Sequence, residues 1–129
     1  MLIRSRRARA ALPYVEPDRM HWGWPVGLRD GAILALLAAG LTAEEICGLR
    51  ASAITMDRGD LVVKVHRDGV TWHAVMPPEL GARLLAWLTE RRLWGDPVAV
   101  FRGLRGGQIS RAALNQVVYR YLRLLRMRR

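Results

Sequence analysis

The sequence predicts an α+β fold, mostly helical, with one small three-stranded antiparallel sheet. Three observations carry this. Apolar residues recur at helical spacing in separated segments around 27–40, 78–92 and 111–126. β-Branched residues crowd instead into the single interval 53–76. There, Asp60–His66 (DLVVKVH) and Val70–Met76 (VTWHAVM) flank a turn with Asp-Gly at its centre.

Taken in order, residues 1–26 read as an N-terminal arm: basic first, then Pro13, Pro17 and Pro25 with the aromatic cluster Tyr14, Trp22 and Trp24. A single domain over 27–129 follows. Its first helix starts near Val26–Gly27, sends Leu28, Ile33, Leu34, Leu36 and Leu37 into the core, and stops at Gly40, a natural left-handed residue. Thr42-Ala43-Glu44-Glu45 opens a short second helix with a capping box, and Gly48 closes it. Ala53–Met56 is a brief strand, and the hairpin strands then pair across Arg67-Asp68-Gly69. Pro77-Pro78-Glu79 starts a helix running to about Arg92, since proline suits a first helical turn. Trp94 to Gly107 is loop, with an extended piece at Val98–Phe101. Ser110 caps the last helix. At about 100° per residue, Leu114, Val117, Val118, Tyr121 and Leu125 gather on one side of it. Gln116, Arg120, Arg123 and Arg126 form a cationic ridge on the other.

Composition bounds the function. With 129 residues, 51% of them apolar, the chain can bury one core. Its longest apolar run, Ala32 to Leu41, is far short of the roughly 20 residues of a membrane span. The basic start runs into Pro13 and Glu16 and does not read as a secretory signal. A cytoplasmic protein is expected. A lone cysteine, Cys47, excludes an internal disulfide and a Cys-rich zinc framework. The formal charge of +10 is segregated: residues 1–12 hold four Arg and no acid, and residues 102–129 hold eight Arg and no acid. The middle holds nine basic and eleven acidic residues. Basic ends around a balanced centre match the footprint of a polyanion binder. Of 21 basic residues only Lys64 is lysine. A GC-rich coding sequence explains that ratio as well as phosphate recognition does, but it does not explain the segregation.

Several motifs, in order, resemble the catalytic domain of tyrosine recombinases, the phage integrase family. Ala39 to Ile54 (AGLTAEEICGLRASAI) resembles the family's first box. The hairpin, the Pro77-Pro78-Glu79-Leu80 helix start and Gly106-Gly107-Gln108-Ile109-Ser110-Arg111-Ala112-Ala113-Leu114-Asn115 follow in family order, so that the resemblance covers about residues 27–126. The departures concern catalysis. The family's first catalytic Arg falls on Thr42, and its sheet Lys falls where this chain has Val70-Thr71-Trp72. The His-x-x-Arg box and the nucleophilic Tyr would come after residue 126. Tyr119 and Tyr121 lie in the helix before those boxes and match neither. Such a recombinase attacks a phosphodiester with its Tyr hydroxyl while Arg and His groups stabilise the transferring phosphoryl. The expectation is therefore a truncated, catalytically inactive relative from a phage, plasmid or other mobile element, with no catalytic residues, cofactor or metal.

The resemblance implies that the last helix approaches duplex DNA with its N-terminal end, placing Gln108, Ser110, Arg111 and Asn115 against bases or phosphates. A helix N-terminus presents free N–H groups and a positive dipole end to a phosphate, which supports this placement independently. Arg102 and Arg105 in the preceding loop, Arg120 and Arg123 on the ridge, and Lys64 and Arg67 on the hairpin complete the expected contacts. The alternative is a protein-interaction module, such as a phage-encoded inhibitor of a host enzyme or recombinase. It would bind a partner, or a second copy, through the apolar surface that the missing C-terminal part leaves uncovered. His21, His66 and His73 lack ligand spacing. The hairpin could bring His66 and His73 face to face, and such a cross-strand pair would be structural rather than a metal site. Trp72, Trp87 and Trp94 are expected in the core, while Trp22 and Trp24 suit packing or a partner contact better than base stacking.

Overall fold

The computed structural model describes residues 5–127. Its described elements make an α+β fold of five α-helices and one three-stranded antiparallel sheet: α1 (Ser5–Ala11), α2 (Val26–Ala38), α3 (Ala43–Cys47), β1 (Ile54–Asp57), β2 (Asp60–Arg67), β3 (Val70–Val75), α4 (Pro78–Arg91) and α5 (Arg111–Met127). No helix among the described residues is long and apolar enough to cross a membrane.

The organising element is α2. From Asp30 to Leu37 every residue is buried, because α1, α4 and α5 all pack around it. A helix that is apolar all round is a central one. It ends as its residues require. Gly40 takes φ 104°, its N–H donates to Leu37, and the Leu41 N–H reaches back to Leu36, which satisfies the last carbonyls.

Residues 1–4 of the segment expected as an arm lie outside the described residues, and residues 5–15 of it pack into the core instead. Ala8, Ala11, Leu12 and Val15 recur at helical spacing and are all buried. The two alanines let α1 approach its neighbours closely. Arg83 of α4 donates to the carbonyls of Val15 (3.2 Å) and Leu12 (3.4 Å), fastening the end of this segment. The return into α2 depends on Gly27. Its N–H donates to the Arg19 carbonyl, and a Cβ there would sit 2.0 Å from the Glu16 carbonyl oxygen. Gly27→Ala is expected to displace residues 16–19 and lower stability by about 1–3 kcal/mol, measured by urea unfolding.

In the sheet, β2 is central. Leu61, Val63 and Val65 are buried together with Ile54 of β1, and α4 packs behind β2. Asp68 and Gly69 take φ 52° and 75° in the β2–β3 turn, as an Asp-Gly hairpin turn demands. Two expectations fail on the edge strand. Trp72 is 55% exposed, since β3 lies at the sheet's edge and only Ala74 is even half-buried there. Trp94, in the loop after α4, is also exposed, so only Trp87 joins the core, stacked on Phe101 at 6.0 Å. The histidines do not face each other either: the register pairs His66 with Thr71 and His73 with Lys64. The His66 Nδ1 and the Thr71 hydroxyl lie 3.1 Å apart.

Candidate nucleic-acid interface

Residues 101–109 form a small antiparallel excursion held at its base by two buried side chains, Phe101 and Ile109. The Ile109 N–H donates to Phe101, Arg102 bridges Gln108, and the Gly103 N–H donates to Gly107 at 2.8 Å. The glycines allow this tight return, with Gly106 at φ 88°. Arg102, Leu104, Arg105 and Gln108 are all exposed around it. The chain then enters α5 directly. The Ser110 hydroxyl accepts from the Ala113 N–H at 3.1 Å, so the expected cap is present. A capping hydroxyl still has its own proton to donate. Loop and helix start together offer Arg102, Arg105, Gln108, Ser110 and Arg111 within one short stretch of chain.

On α5 itself, Leu114, Val117, Val118, Tyr121 and Leu122 are buried, while Arg120, Arg123 and Arg126 are exposed. The two faces fall where the helical wheel puts them, except that Leu122 joins the core and Leu125 stays half-buried.

The expected contacts differ in how free they are. Arg102, Arg105 and Arg123 make no ion pair among the described residues. Arg111 donates to Glu44 at 2.7 Å, tying the start of α5 to the first turn of α3. Arg67 grips Glu45 through two nitrogens, at 2.6 and 3.0 Å, and also reaches the Gly40 carbonyl. The Arg120 guanidinium lies 3.9 Å from Asp30. Asn115 is half-buried and its Oδ1 is enclosed without a hydrogen-bond partner. Lys64 is exposed, but it lines a mixed-charge cleft of about 460 Å³ with Glu44, Glu45, Arg50 and His66. The loop and α5 residues thus follow one another along one stretch of chain, and the acidic first turn of α3 stands between Arg111, held by Glu44, and the hairpin cations Lys64 and Arg67, the latter held by Glu45.

Glu45 does several jobs at once. It closes the capping box, with its carboxylate accepting from the Thr42 N–H (2.8 Å) and its own N–H donating to the Thr42 hydroxyl (3.2 Å). The Arg67 hydrogen bond outweighs burial and holds its carboxyl below the ordinary 4.5. A carboxyl with a depressed folded value adds stability above its ordinary range and loses it as pH falls through the folded value. Stability measured by thermal melts is expected to drop below pH 4.5, and Glu45→Gln is expected to flatten that acid limb. Burial pushes the neighbouring Cys47 thiol up, which keeps it protonated and unreactive at neutral pH.

Residues that composition did not single out also shape this region. Asp30 is fully buried and binds Tyr121 and Arg29, which anchors α5 to α2. Arg91 lies over the Trp24 ring at 4.1 Å. Neither the Asp30–Tyr121 nor the Arg91–Trp24 pairing has a local signal, since each joins positions far apart in the chain. No group of three or more metal-ligating side chains occurs among the described residues. Comparison of the chain with protein-family models, with curated proteins and with solved structures found no match.

Proposed function

We propose that this chain is a non-catalytic duplex-DNA-binding protein whose interface is the 102–108 loop together with the start and the arginine face of α5. One observation carries the reading. Arg102, Arg105, Arg123 and Arg126 are exposed, make no ion pair among the described residues, and belong to a stretch, 102–129, without a single acid. Exposed guanidiniums without carboxylate partners attract phosphates and position a protein on a duplex. The order of elements and the 39–54 and 106–115 motifs favour a recombinase-like plan from a phage or mobile element, without strand cleavage. Such a role belongs in the cytoplasm.

Fluorescence anisotropy with duplex DNA at low and moderate salt tests this. Affinity is expected to fall steeply with salt as bound phosphates release counterions. An affinity indifferent to salt, or no binding, overturns the reading. The Arg111–Glu44 pair adds a sharper test. Glu44→Gln removes the carboxylate that competes with phosphate for Arg111. It is expected to tighten DNA binding about fivefold, the worth of an exposed charge pair near 1 kcal/mol.

A second reading, a protein-interaction module, is favoured by β3. Its six residues carry no acid, Lys or Arg, and Val70, Trp72 and Val75 are each more than half exposed. Uncharged apolar edge strands invite pairing with another chain. Light scattering separates the readings, because β-edge association persists without DNA and is broken by Val75→Lys.

A further inference from the structure

Three turns of this chain share one backbone geometry, a positive-φ residue followed by a positive-φ glycine: Arg58-Gly59, Asp68-Gly69 and Trp22-Gly23. That geometry favours Asn, Asp or Gly at its first position. Tryptophan is a poor choice there, since a bulky side chain at φ 53° is strained. Packing does not explain it. Trp22 is 94% exposed, and its one ring contact among the described residues is with His21, edge-on at 5.9 Å. The turn is nonetheless fixed, because His21 and Trp24 exchange both backbone hydrogen bonds at 2.9 Å. A strained, displayed aromatic on a fixed turn points to a group held out for a ligand.

The same turn sets Trp24 on the wall of a cleft of about 240 Å³, lined also by Trp87, Arg91, Arg92, Asp96 and Arg102. The Arg91 guanidinium carbon lies over the Trp24 ring at 4.1 Å and 5.8 Å from the centre of the Trp87 ring, so two aromatic faces hold this cation at the cleft. Among the described residues, Arg91, Arg92 and Arg102 have no ion-pair partner, and Asp96 is the one carboxylate on the lining. The cleft is smaller than the roughly 300–1,000 Å³ that takes a drug-sized ligand. Arg102 belongs equally to the 102–108 loop, so this cleft continues the interface described above.

We propose that the Trp22 turn and this cleft bind an unpaired nucleotide, with its base stacked on Trp22 and its flanking phosphates on Arg91, Arg92 and Arg102. Stacking requires an open base face, which a paired base inside a duplex does not offer. The inference rests on the nucleic-acid reading above and adds to it a preference for single strands or overhangs. An unpaired base flanked by phosphates occurs in both DNA and RNA, so both are probed.

The test compares labelled oligo(dT), oligo(U) and a blunt DNA duplex by anisotropy, with wild type and Trp22→Asn. Asparagine suits the turn, so the variant's melting temperature is expected to equal or exceed that of wild type. Oligo(dT) binding is expected to weaken about 5- to 150-fold, the range of one base–aromatic stack, with blunt-duplex binding retained. The same loss on oligo(U), from a tighter wild-type complex, supports the site and assigns it to RNA. Unchanged single-strand binding beside intact duplex binding overturns this inference and leaves the duplex reading standing. An equal loss on blunt duplex also overturns it, and a wild type that binds none of the probes overturns both.

Discussion

Replacing Asp30 with alanine is expected to cost about 3–5 kcal/mol of folding stability, enough to consume much of the roughly 5–15 kcal/mol a domain has. Asp30 has no exposed surface. One carboxylate oxygen accepts from Arg29 at 2.9 Å and the other from the Tyr121 hydroxyl at 2.5 Å, with Arg120 at 3.9 Å. Removing the carboxylate strands the Tyr121 hydroxyl in the core, where an unpaired polar group pays its full desolvation cost. Arg29 is less affected, since its side chain is 22% exposed and reaches water. Tyr121→Phe is therefore expected to be milder, about 1–3 kcal/mol, as it removes one donor and leaves Arg29 on the carboxylate. Asp30→Asn should fall between, keeping an acceptor for Tyr121 while losing the charge.

Alkaline titration supplies an independent check on the same network. Burial, and then the hydrogen bond to Asp30, push the Tyr121 hydroxyl up from 10 to about 12. The unfolded chain releases this proton first, so the stability is fully present below pH 10 and is lost as pH rises to about 12. A shift of this size corresponds to about 2–3 kcal/mol. Denaturant midpoints measured across that window should fall in wild type and stay flatter in Tyr121→Phe. A parallel fall in both would mean that Tyr121 keeps contact with water and the network is not sealed.

Local signals in the sequence were legible, and long-range pairings were not. The Thr42/Glu45 capping box, the Gly40 stop, the Asp68-Gly69 turn and the Ser110 cap each depend on residues within a few positions of one another. Each appears where the sequence places it. The apolar side of α5 was legible for the same reason, because helical period alone defines it. Residues 5–15 misled. Their proline and arginine content suggests an arm, whereas Ala8, Ala11 and Leu12 are small or sparse apolar residues scattered among cations. What turns them into core is the packing of α1 on α2 and α5, with Arg83 fastening the Leu12 and Val15 carbonyls from about 70 positions away. Charge was legible as a sum but not as pairs. Arg67 and Arg111 count toward the same total as Arg105, yet Glu45 and Glu44 hold them. Trp72 reads as a core residue by type, but only topology reveals that its strand is an edge.

The distinction between held and free arginines leads to the largest expected effect on binding. Replacing Arg102, Arg105 and Arg123 together with alanine should flatten the dependence of log affinity on log salt by about 2–3, since each phosphate contact contributes roughly 0.9. Affinity at low salt should fall by about a hundredfold or more, as three charge-assisted contacts are lost. The folded state should barely notice, because none of the three has an ion-pair partner among the described residues, and melting temperature provides the control. Arg9 is the informative comparison. It is exposed like the others but sits on α1, paired with Glu79 at 3.1 Å. If DNA binding reflected net charge alone, Arg9→Ala would lower the slope as much as any single loop arginine. If the 102–108 loop and α5 form the interface, Arg9→Ala leaves the slope unchanged, and only the unpaired cations of that stretch move it.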